Sequence, residues 1–221
     1  MKIPEVSKEI SDGILESFKK NGFKFRKARN EFTRKLKNAE QIFHLIYYKE
    51  NNGTINIKPE VVIHIDDIES IYKKISQIKY RPYLTLGNYF SQIKDYNGDA
   101  ANFKNKATKY WLIENEHDIS HLIEIIPKYL DEVILPYFEN NSSIERVDEL
   151  LNEYPKNMSV HNNMYPLRAN IAIIAAKLNC NHRFNELLEI YEKELEDAEE
   201  NYKIEFYKLK EFLSSEKFNE I

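Results

Sequence analysis

The spacing of apolar residues predicts a helix at the start of the chain. Over residues 4–21 an apolar side chain recurs at every fourth position, at Val6, Ile10, Ile14 and Phe18. Gly22 stands where the glycine that ends a helix is commonly found. The period of apolar residues then shortens to two, which is typical of strands.

Residues 23–65 predict an antiparallel meander of four strands. A tight turn is expected at residues 28–30, and the Asn-Gly pair at residues 52–53 is a strong hairpin signal. The fourth strand comprises residues 54–58 and 61–65 and is interrupted by Pro59, which predicts a bulge or an edge at that point.

The pattern after the meander predicts two more strands and then helices. A helix is expected to begin at Asp66 and Asp67, because negative charge suits a helix N-terminus. The two strands are predicted at residues 83–86 and 107–113. From His117 the chain reads as helix, in which Pro127 and Pro136 either start new turns or kink a long helix. Further helices are predicted at residues 142–154, where residues 142–145 match a capping box, at residues 164–178, and at residues 182–214.

The last predicted helix carries an apolar stripe with alternating spacings of four and three residues, starting at Phe184 and Leu188. One interpretation is a helix hairpin, in which residues 164–178 pack on its first half. The other is a coiled-coil contact made by its second half, which predicts a homodimer through the long C-terminal helix.

These elements predict an α+β fold. An N-terminal helix and an antiparallel sheet of four to six strands form residues 1–140, and a helical bundle that ends in a long helix forms residues 141–221. We expect the second part to pack on the first as one structural unit.

The composition narrows the chemistry. The 221 residues include only five glycines, which leaves little material for glycine-rich phosphate loops, and no cofactor is predicted. Cys180 is the single cysteine, so no disulfide forms within the chain and a reducing, cytoplasmic setting is expected. The longest aliphatic run, residues 171–176, is too short to span a bilayer, and no membrane partner is expected.

Positive charge collects near the start of the chain. Residues 1–110 hold 21 basic and 13 acidic side chains, and residues 19–37 hold nine basic side chains and one acidic one. The binding candidates in this basic stretch are Lys24, Arg26, Lys27, Arg29, Arg34 and Lys35. Alternation along the strands predicts Lys24, Arg26 and Arg34 on one solvent face, with the neighbouring phenylalanines in the core. A weak nucleic-acid binder that uses the basic strands of residues 19–37 is therefore a third functional hypothesis, which a pI near 5.9 makes less favoured.

Two pairs of histidines are candidates for metal binding. His117 and His121 are four residues apart on a predicted helix, with Glu124 one turn further on, and this spacing can place both imidazoles against one metal ion. The competing interpretation is two surface histidines near an acidic helix start. His44 and His64 lie in apolar strands and could be neighbours on one sheet face. A metal-assisted hydrolase that uses either pair is the alternative to a binding protein.

Negative charge collects near the end of the chain. Residues 111–221 hold 11 basic and 23 acidic side chains, and residues 184–200 hold eight acidic side chains and one basic one. Such a run is most often a solvated helix face, but it also fits a basic partner or the basic strands of a second copy.

An ordered set of aromatic, basic and turn residues resembles a known family. The set comprises Phe18, Gly22, Phe23, Lys24, Arg26, Phe32, Arg34, Trp111 and the run Leu135-Pro136-Tyr137-Phe138. Over residues 8–140 the chain resembles the bacterial domain-of-unknown-function family number four-three-zero-four. Residues 42–48 depart from the family pattern, because they contain His44 and lack the expected glutamine and small hydroxyl residue. The resemblance implies a fold and no catalytic residues.

The sequence therefore favours a non-enzymatic bacterial protein that binds an unknown protein partner through charged surfaces. An immunity-like role, in which an acidic protein neutralises a basic toxin, fits by analogy at the level of class.

Overall fold

A computed structural model describes residues 1–76, 85–96, 98–100, 109–215 and 218. The chain divides into two compact units. The first is formed mainly by Met1–Ile63, Gly87–Tyr96 and the segment that ends at Asn141, and the second mainly by His64–Leu86 and Ser142–Ile221.

The described part of the chain contains six strands and nine α-helices. The strands are β1 Lys24–Arg26, β2 Glu31–Lys35, β3 Ala39–Lys49, β4 Ile55–Ile65, β5 Leu86–Tyr89 and β6 Trp111–Ile113. The helices are α1 Ile3–Lys20, α2 Asp66–Ile75, α3 Phe90–Lys94, α4 Glu116–Tyr129, α5 Leu135–Asn141, α6 Ile144–Asn152, α7 Tyr165–Leu178, α8 Phe184–Glu194 and α9 Glu200–Ser214.

The sheet is the predicted meander with two strands added. Its order is β1-β2-β3-β4-β5, and β6 pairs antiparallel with the start of β4. A 3-10 turn at Lys27–Arg29, closed by Asn30 with φ of 54°, joins β1 to β2. Gly53, with φ of 93°, sits in the hairpin between β3 and β4, a conformation that favours glycine. The α+β fold class and the four-stranded meander are confirmed.

The strand β4 runs through Pro59, so the interruption predicted there is absent. The strand β6 pairs with residues 55–57. Gly87 of β5 lies close to the backbone of Val61, since a Cβ added to Gly87 would lie 2.7 Å from the Val61 carbonyl oxygen. Pro59 lies between these two stretches, where its missing N–H disrupts neither pairing.

The core of the first unit is built from phenylalanines on one face of the sheet. Phe18 of α1 is fully buried, and its ring centroid lies 4.2 Å from that of Phe32 and 5.4 Å from that of Phe43. Phe25 pairs with Phe32 across β1 and β2. These rings occupy the face opposite Lys24, as alternation predicts.

Helix α4 crosses α1 and continues into α5. A Cβ on Gly13 of α1 would come within 2.8 Å of the Ile123 side chain, so the glycine permits the close crossing. Pro127 lies inside α4, whereas Pro136 is the second residue of α5. A π-helical segment, Leu130–Ile134, precedes Pro136 and widens the helix where the proline ring would clash with an earlier carbonyl.

Helix α7 forms the centre of the second unit. Its residues from Leu167 to Ala176 are all buried, and α2, α6, α8 and α9 contact it. The alanines on α7 permit this close packing. Two buried polar groups also organise the unit, since Asp148 accepts hydrogen bonds from three asparagine amides and Arg168 donates to two backbone carbonyls.

Several predicted boundaries change in the structure. The chain does end in a long helix, α9, but the continuous helix predicted over residues 182–214 is interrupted between Glu194 and Glu200. Helix α6 is capped by the Ser143 hydroxyl, which accepts from the Arg146 N–H, so the N-cap is one residue later than the predicted box. Residues 83–84 and 107–108 of the two predicted extra strands lie outside the described residues.

None of the helices in the described part of the chain combines the length and apolar character needed to cross a bilayer.

Candidate functional site

The register of the sheet separates the predicted basic residues. Lys24 pairs with Thr33 and Arg26 with Glu31, so these four side chains share one face, which we call the charged face. Arg34 pairs with Gln41 and therefore lies on the other face, with the core phenylalanines. The prediction that Arg34 joins Lys24 and Arg26 on one solvent face is wrong.

Arg34 is held by the fold. Its Nε donates to Gln41 Oε1 at 2.7 Å, and its guanidinium lies 4.9 Å from the centroid of the Phe23 ring. A further N–H donates to the Asn21 carbonyl, which joins the end of α1 to β2. Burial lowers the pKa of Arg34, although nearby Glu139 opposes this effect. These contacts favour a structural role for Arg34.

The remaining basic candidates are exposed. The side chains of four of them are accessible to solvent: Lys24, Lys27, Arg29 and Lys35. Arg26 is more constrained, because one of its terminal nitrogens lies 2.6 Å from Glu40 Oε1 and the other 4.0 Å from Glu31 Oε2. Carboxylates on the same face thus offset part of the positive charge.

On the charged face, basic and acidic side chains alternate from strand to strand across β1, β2, β3 and β4. Arg26 of β1 pairs with Glu31 of β2, which pairs with His44 of β3. The His44 Nδ1 atom lies 3.4 Å from Glu60 Oε2 on β4. His64 lies four residues further along β4 than Glu60. His44 thus contacts the carboxylate of Glu60 on the neighbouring strand.

His117, His121 and Glu124 are exposed on the first turns of α4. Asp118, between the histidines, accepts hydrogen bonds from the backbone N–H groups of Glu114 and Asn115, at 2.9 and 3.0 Å. These two bonds lower the pKa of Asp118, with a smaller contribution from the histidines. The His-Asp-x-x-His pattern therefore includes the cap of α4. In the described residues no three His, Cys, Asp or Glu side chains are grouped to hold a metal ion.

The strongest concentration of charge in the second unit lies where α8 gives way to α9. Glu186 pairs with Arg183, and Glu192 pairs with Lys210 at 2.6 Å. Six other carboxylates are exposed and form no ion pair within the described part of the chain. We call this set the acidic surface: Glu189, Glu194, Glu196, Asp197, Glu199 and Glu200.

Helix α9 extends the acidic surface with exposed apolar side chains. Ile204 is 42% exposed and Tyr207 is 50% exposed, and both follow Glu200 on the same side of the helix at spacings of four and seven residues. A groove of about 460 Å³ lies beside α9 and is lined by Lys208, Glu211 and the end of α2. The sequence pattern did not single out Ile204 or Tyr207, because neither belongs to the apolar stripe that runs over residues 184–213.

A buried carboxyl group in the same unit carries no sequence signal. Glu69 of α2 is 5% exposed, and its Oε1 accepts a hydrogen bond of 2.8 Å from the Thr85 hydroxyl. Its Oε2 is buried and accepts no hydrogen bond from the residues that the structure describes. Burial raises the pKa of Glu69 to about 7, while the Thr85 hydroxyl and Lys73 oppose the shift.

Cys180, the free cysteine, is exposed in the turn after α7.

Comparisons of this chain with protein-family models, with curated proteins and with solved structures return no match. The resemblance to the bacterial family named above thus stays an expectation.

Proposed function

We propose that this chain is a non-enzymatic protein that binds a basic protein partner through the acidic surface and the exposed face of α9. The observation that carries the proposal is the set of six exposed carboxylates, unpaired within the described residues, that follow one another between Glu189 and Glu200.

Charge complementarity supports this choice of partner. Residues 184–200 hold eight acidic side chains against Lys193 alone, so the local potential is strongly negative. Like charges this close repel one another, and their repulsion is relieved when a cationic surface approaches. A field of this kind speeds the encounter with a basic partner and disfavours acidic ones.

The apolar side chains beside the acidic surface supply the second element of a protein interface. Ile204 and Tyr207 leave about half of their surface exposed on α9. Interfaces concentrate their binding free energy in a few tyrosine, tryptophan and arginine side chains surrounded by a polar rim. Tyr207 is the anchor that we assign, and the carboxylates form the rim.

The proposed role is immunity-like and cytoplasmic, in the sense that a basic effector is neutralised by an acidic binder. It rests on the charge layout and on the single cysteine, and the analogy is one of class.

Comparative affinity capture from the source cell tests the proposal. The wild type is compared with a neutralised variant, E194Q/E196Q/D197N/E199Q, and with a control variant, E9Q/E114Q/E124Q/D131N. The control removes three exposed glutamates and one exposed aspartate from the first unit, so both variants change net charge equally. We expect a basic protein to be captured by the wild type and by the control variant, and to be lost with the neutralised variant. Equal capture by all three proteins contradicts the proposal.

Tyr207→Ala distinguishes the apolar contribution of Tyr207 to partner binding from the electrostatic contribution of the acidic surface. We expect this variant to weaken capture at low and at high salt alike, because the contact it removes is apolar. The loss in the neutralised variant should instead depend on ionic strength, since screening at high salt weakens the wild type as well.

A further inference from the structure

Lys58 is a half-buried cation on the charged face of the sheet. It lies near the middle of β4, and its Nζ atom is 3.6 Å from the centroid of the Tyr89 ring. No carboxylate pairs with Lys58 within the described residues. Burial lowers the pKa of Lys58, but the hydrogen bond with Tyr89 and the nearby tyrosines outweigh burial, and the pKa is raised. The ammonium group is therefore charged and is held against the Tyr89 ring.

Two exposed tyrosines flank this ammonium group. Asn56 pairs with Leu112 and Ile57 with Trp111 in the antiparallel pair of β4 and β6. The next position in this register places Tyr110, the residue before β6, opposite Lys58. Tyr110 is 46% exposed and Leu112 is 55% exposed.

Tyr48 completes the arrangement from the other neighbouring strand. The Glu50 N–H donates to the Thr54 carbonyl at the hairpin. Counting back from that pair places Tyr48 opposite Asn56 on the same face as Lys58, and Tyr48 is 45% exposed. Tyr48 and Tyr110 both interact electrostatically with Lys58.

The chemistry of this group suits an oxyanion that is attached to a flat ring. An ammonium group and phenolic O–H groups donate hydrogen bonds to phosphate oxygens. Exposed tyrosine rings provide surfaces on which a base stacks. The surrounding charge limits the size of the anion, because Glu50 accepts from Asn56 close by and Glu60 lies two residues along β4. These carboxylates repel a long polyanion along its length, whereas a single phosphate group can contact the ammonium group alone.

We propose that Lys58, Tyr89, Tyr48 and Tyr110 form a binding site for a mononucleotide, in which Lys58 binds the phosphate and an exposed tyrosine ring stacks on the base. This site lies in the first unit and is independent of the protein-binding role proposed for the second.

Calorimetric titration of the full chain with four probes tests the site. The probes are AMP, adenosine, ribose 5-phosphate and inorganic phosphate. We expect AMP to bind, and to bind at least about tenfold more tightly than adenosine or inorganic phosphate, because it alone offers both the ring and the phosphate. Absence of AMP binding, or equal binding of adenosine and AMP, overturns the proposal.

Two variants and a matched control locate the site. Lys58→Gln should weaken AMP binding about tenfold or more, and Tyr110→Ala should reduce the preference for AMP over ribose 5-phosphate. The control is Lys94→Gln, because the Lys94 ammonium also lies over a tyrosine ring, 4.2 Å from the centroid of Tyr129. Unchanged AMP affinity in both site variants, or an equal loss in the control, contradicts the assignment.

An acidic peptide serves as the competing ligand. A glutamate-rich peptide that displaces AMP and binds more tightly than AMP in a Lys58-dependent manner would show that the anion comes from a protein, and would overturn the choice of a nucleotide. Circular dichroism of each variant checks that it is folded, and the two site variants lie in different segments of the chain, so the failure of one to fold leaves the other to decide.

Discussion

Glu69→Gln tests the description of the buried carboxyl group in the second unit. Glu69 is 5% exposed, and within the described part of the chain one of its oxygens accepts no hydrogen bond. A charged carboxylate is poorly solvated there, so the folded protein holds a proton that the unfolded chain releases at lower pH. Glutamine has the same shape, stays neutral at every pH, and keeps an oxygen that accepts from the Thr85 hydroxyl.

The magnitude follows from the pKa. The pKa of Glu69 rises from an ordinary 4.5 to about 7 in the folded state. Each pKa unit corresponds to about 1.4 kcal/mol, so the group favours folding by roughly 3 kcal/mol more at low pH than at high pH. Because the folded pKa is raised, this stability is fully present below about pH 4.5 and is lost as pH rises through about 7.

Urea unfolding followed by far-ultraviolet circular dichroism at pH 5, 6, 7 and 8 measures the effect. We expect the free energy of unfolding of Glu69→Gln to lie within about 1 kcal/mol of the wild type at pH 5 and to exceed it by about 2–3 kcal/mol at pH 8. The control is Glu153→Gln at an exposed position, for which we expect no such pH dependence. A constant difference between Glu69→Gln and the wild type over this range would refute the reasoning.

Three further substitutions test the packing, each by urea unfolding at pH 7. Phe18→Ala should destabilise the first unit by about 3–5 kcal/mol, since the ring is fully buried among other phenylalanines, and a loss below about 1 kcal/mol contradicts that packing. Asp148→Ala should cost at least about 2 kcal/mol because it removes a buried acceptor shared by three asparagine amides, whereas Glu149→Ala, at the exposed neighbouring position, should cost little. Arg34→Lys should cost about 1–2 kcal/mol, because lysine cannot keep both the hydrogen bonds and the ring contact, and an unchanged midpoint would show that Arg34 has no structural role.

The order of the elements could be predicted from the sequence, but the sheet register could not. The 3-10 turn at Lys27–Arg29 pairs Arg26 with Glu31, so even-numbered residues of β1 share a face with odd-numbered residues of β2. Arg34 is even-numbered and thus falls on the core face. A turn longer by one residue would reverse this assignment, and the turn length is a local detail that hydrophobic spacing does not report.

The break between α8 and α9 was also hidden from the pattern, because no glycine or proline marks it. The cause that we assign is electrostatic. Glu192, Glu196 and Glu200 would repel one another at spacings of four residues in a continuous helix. At the start of a new helix, Glu199 and Glu200 instead interact favourably with the helix dipole. The apolar stripe stays nearly continuous across the break, which is why spacing alone predicted one helix.

Buried polar groups had no readable signal. Glu69 follows Asp66 and Asp67 and resembles an ordinary acidic helix start, yet it is buried while Asp67 is exposed. Whether a carboxylate at such a position faces solvent depends on which helices pack against α2, and that information is tertiary. The histidines of α4 are the opposite case, because their spacing is a visible sequence motif. Asp118 between them accepts hydrogen bonds from two backbone N–H groups at the start of the helix, which is a structural role.

The affinity of the purified captured partner for the wild type and for the neutralised variant tests the central claim most directly. Calorimetric titration at moderate ionic strength should show binding to the neutralised variant weaker by about tenfold or more, with the control variant unchanged. Equal affinity for the wild type and the neutralised variant would contradict the claim that the acidic surface binds the partner.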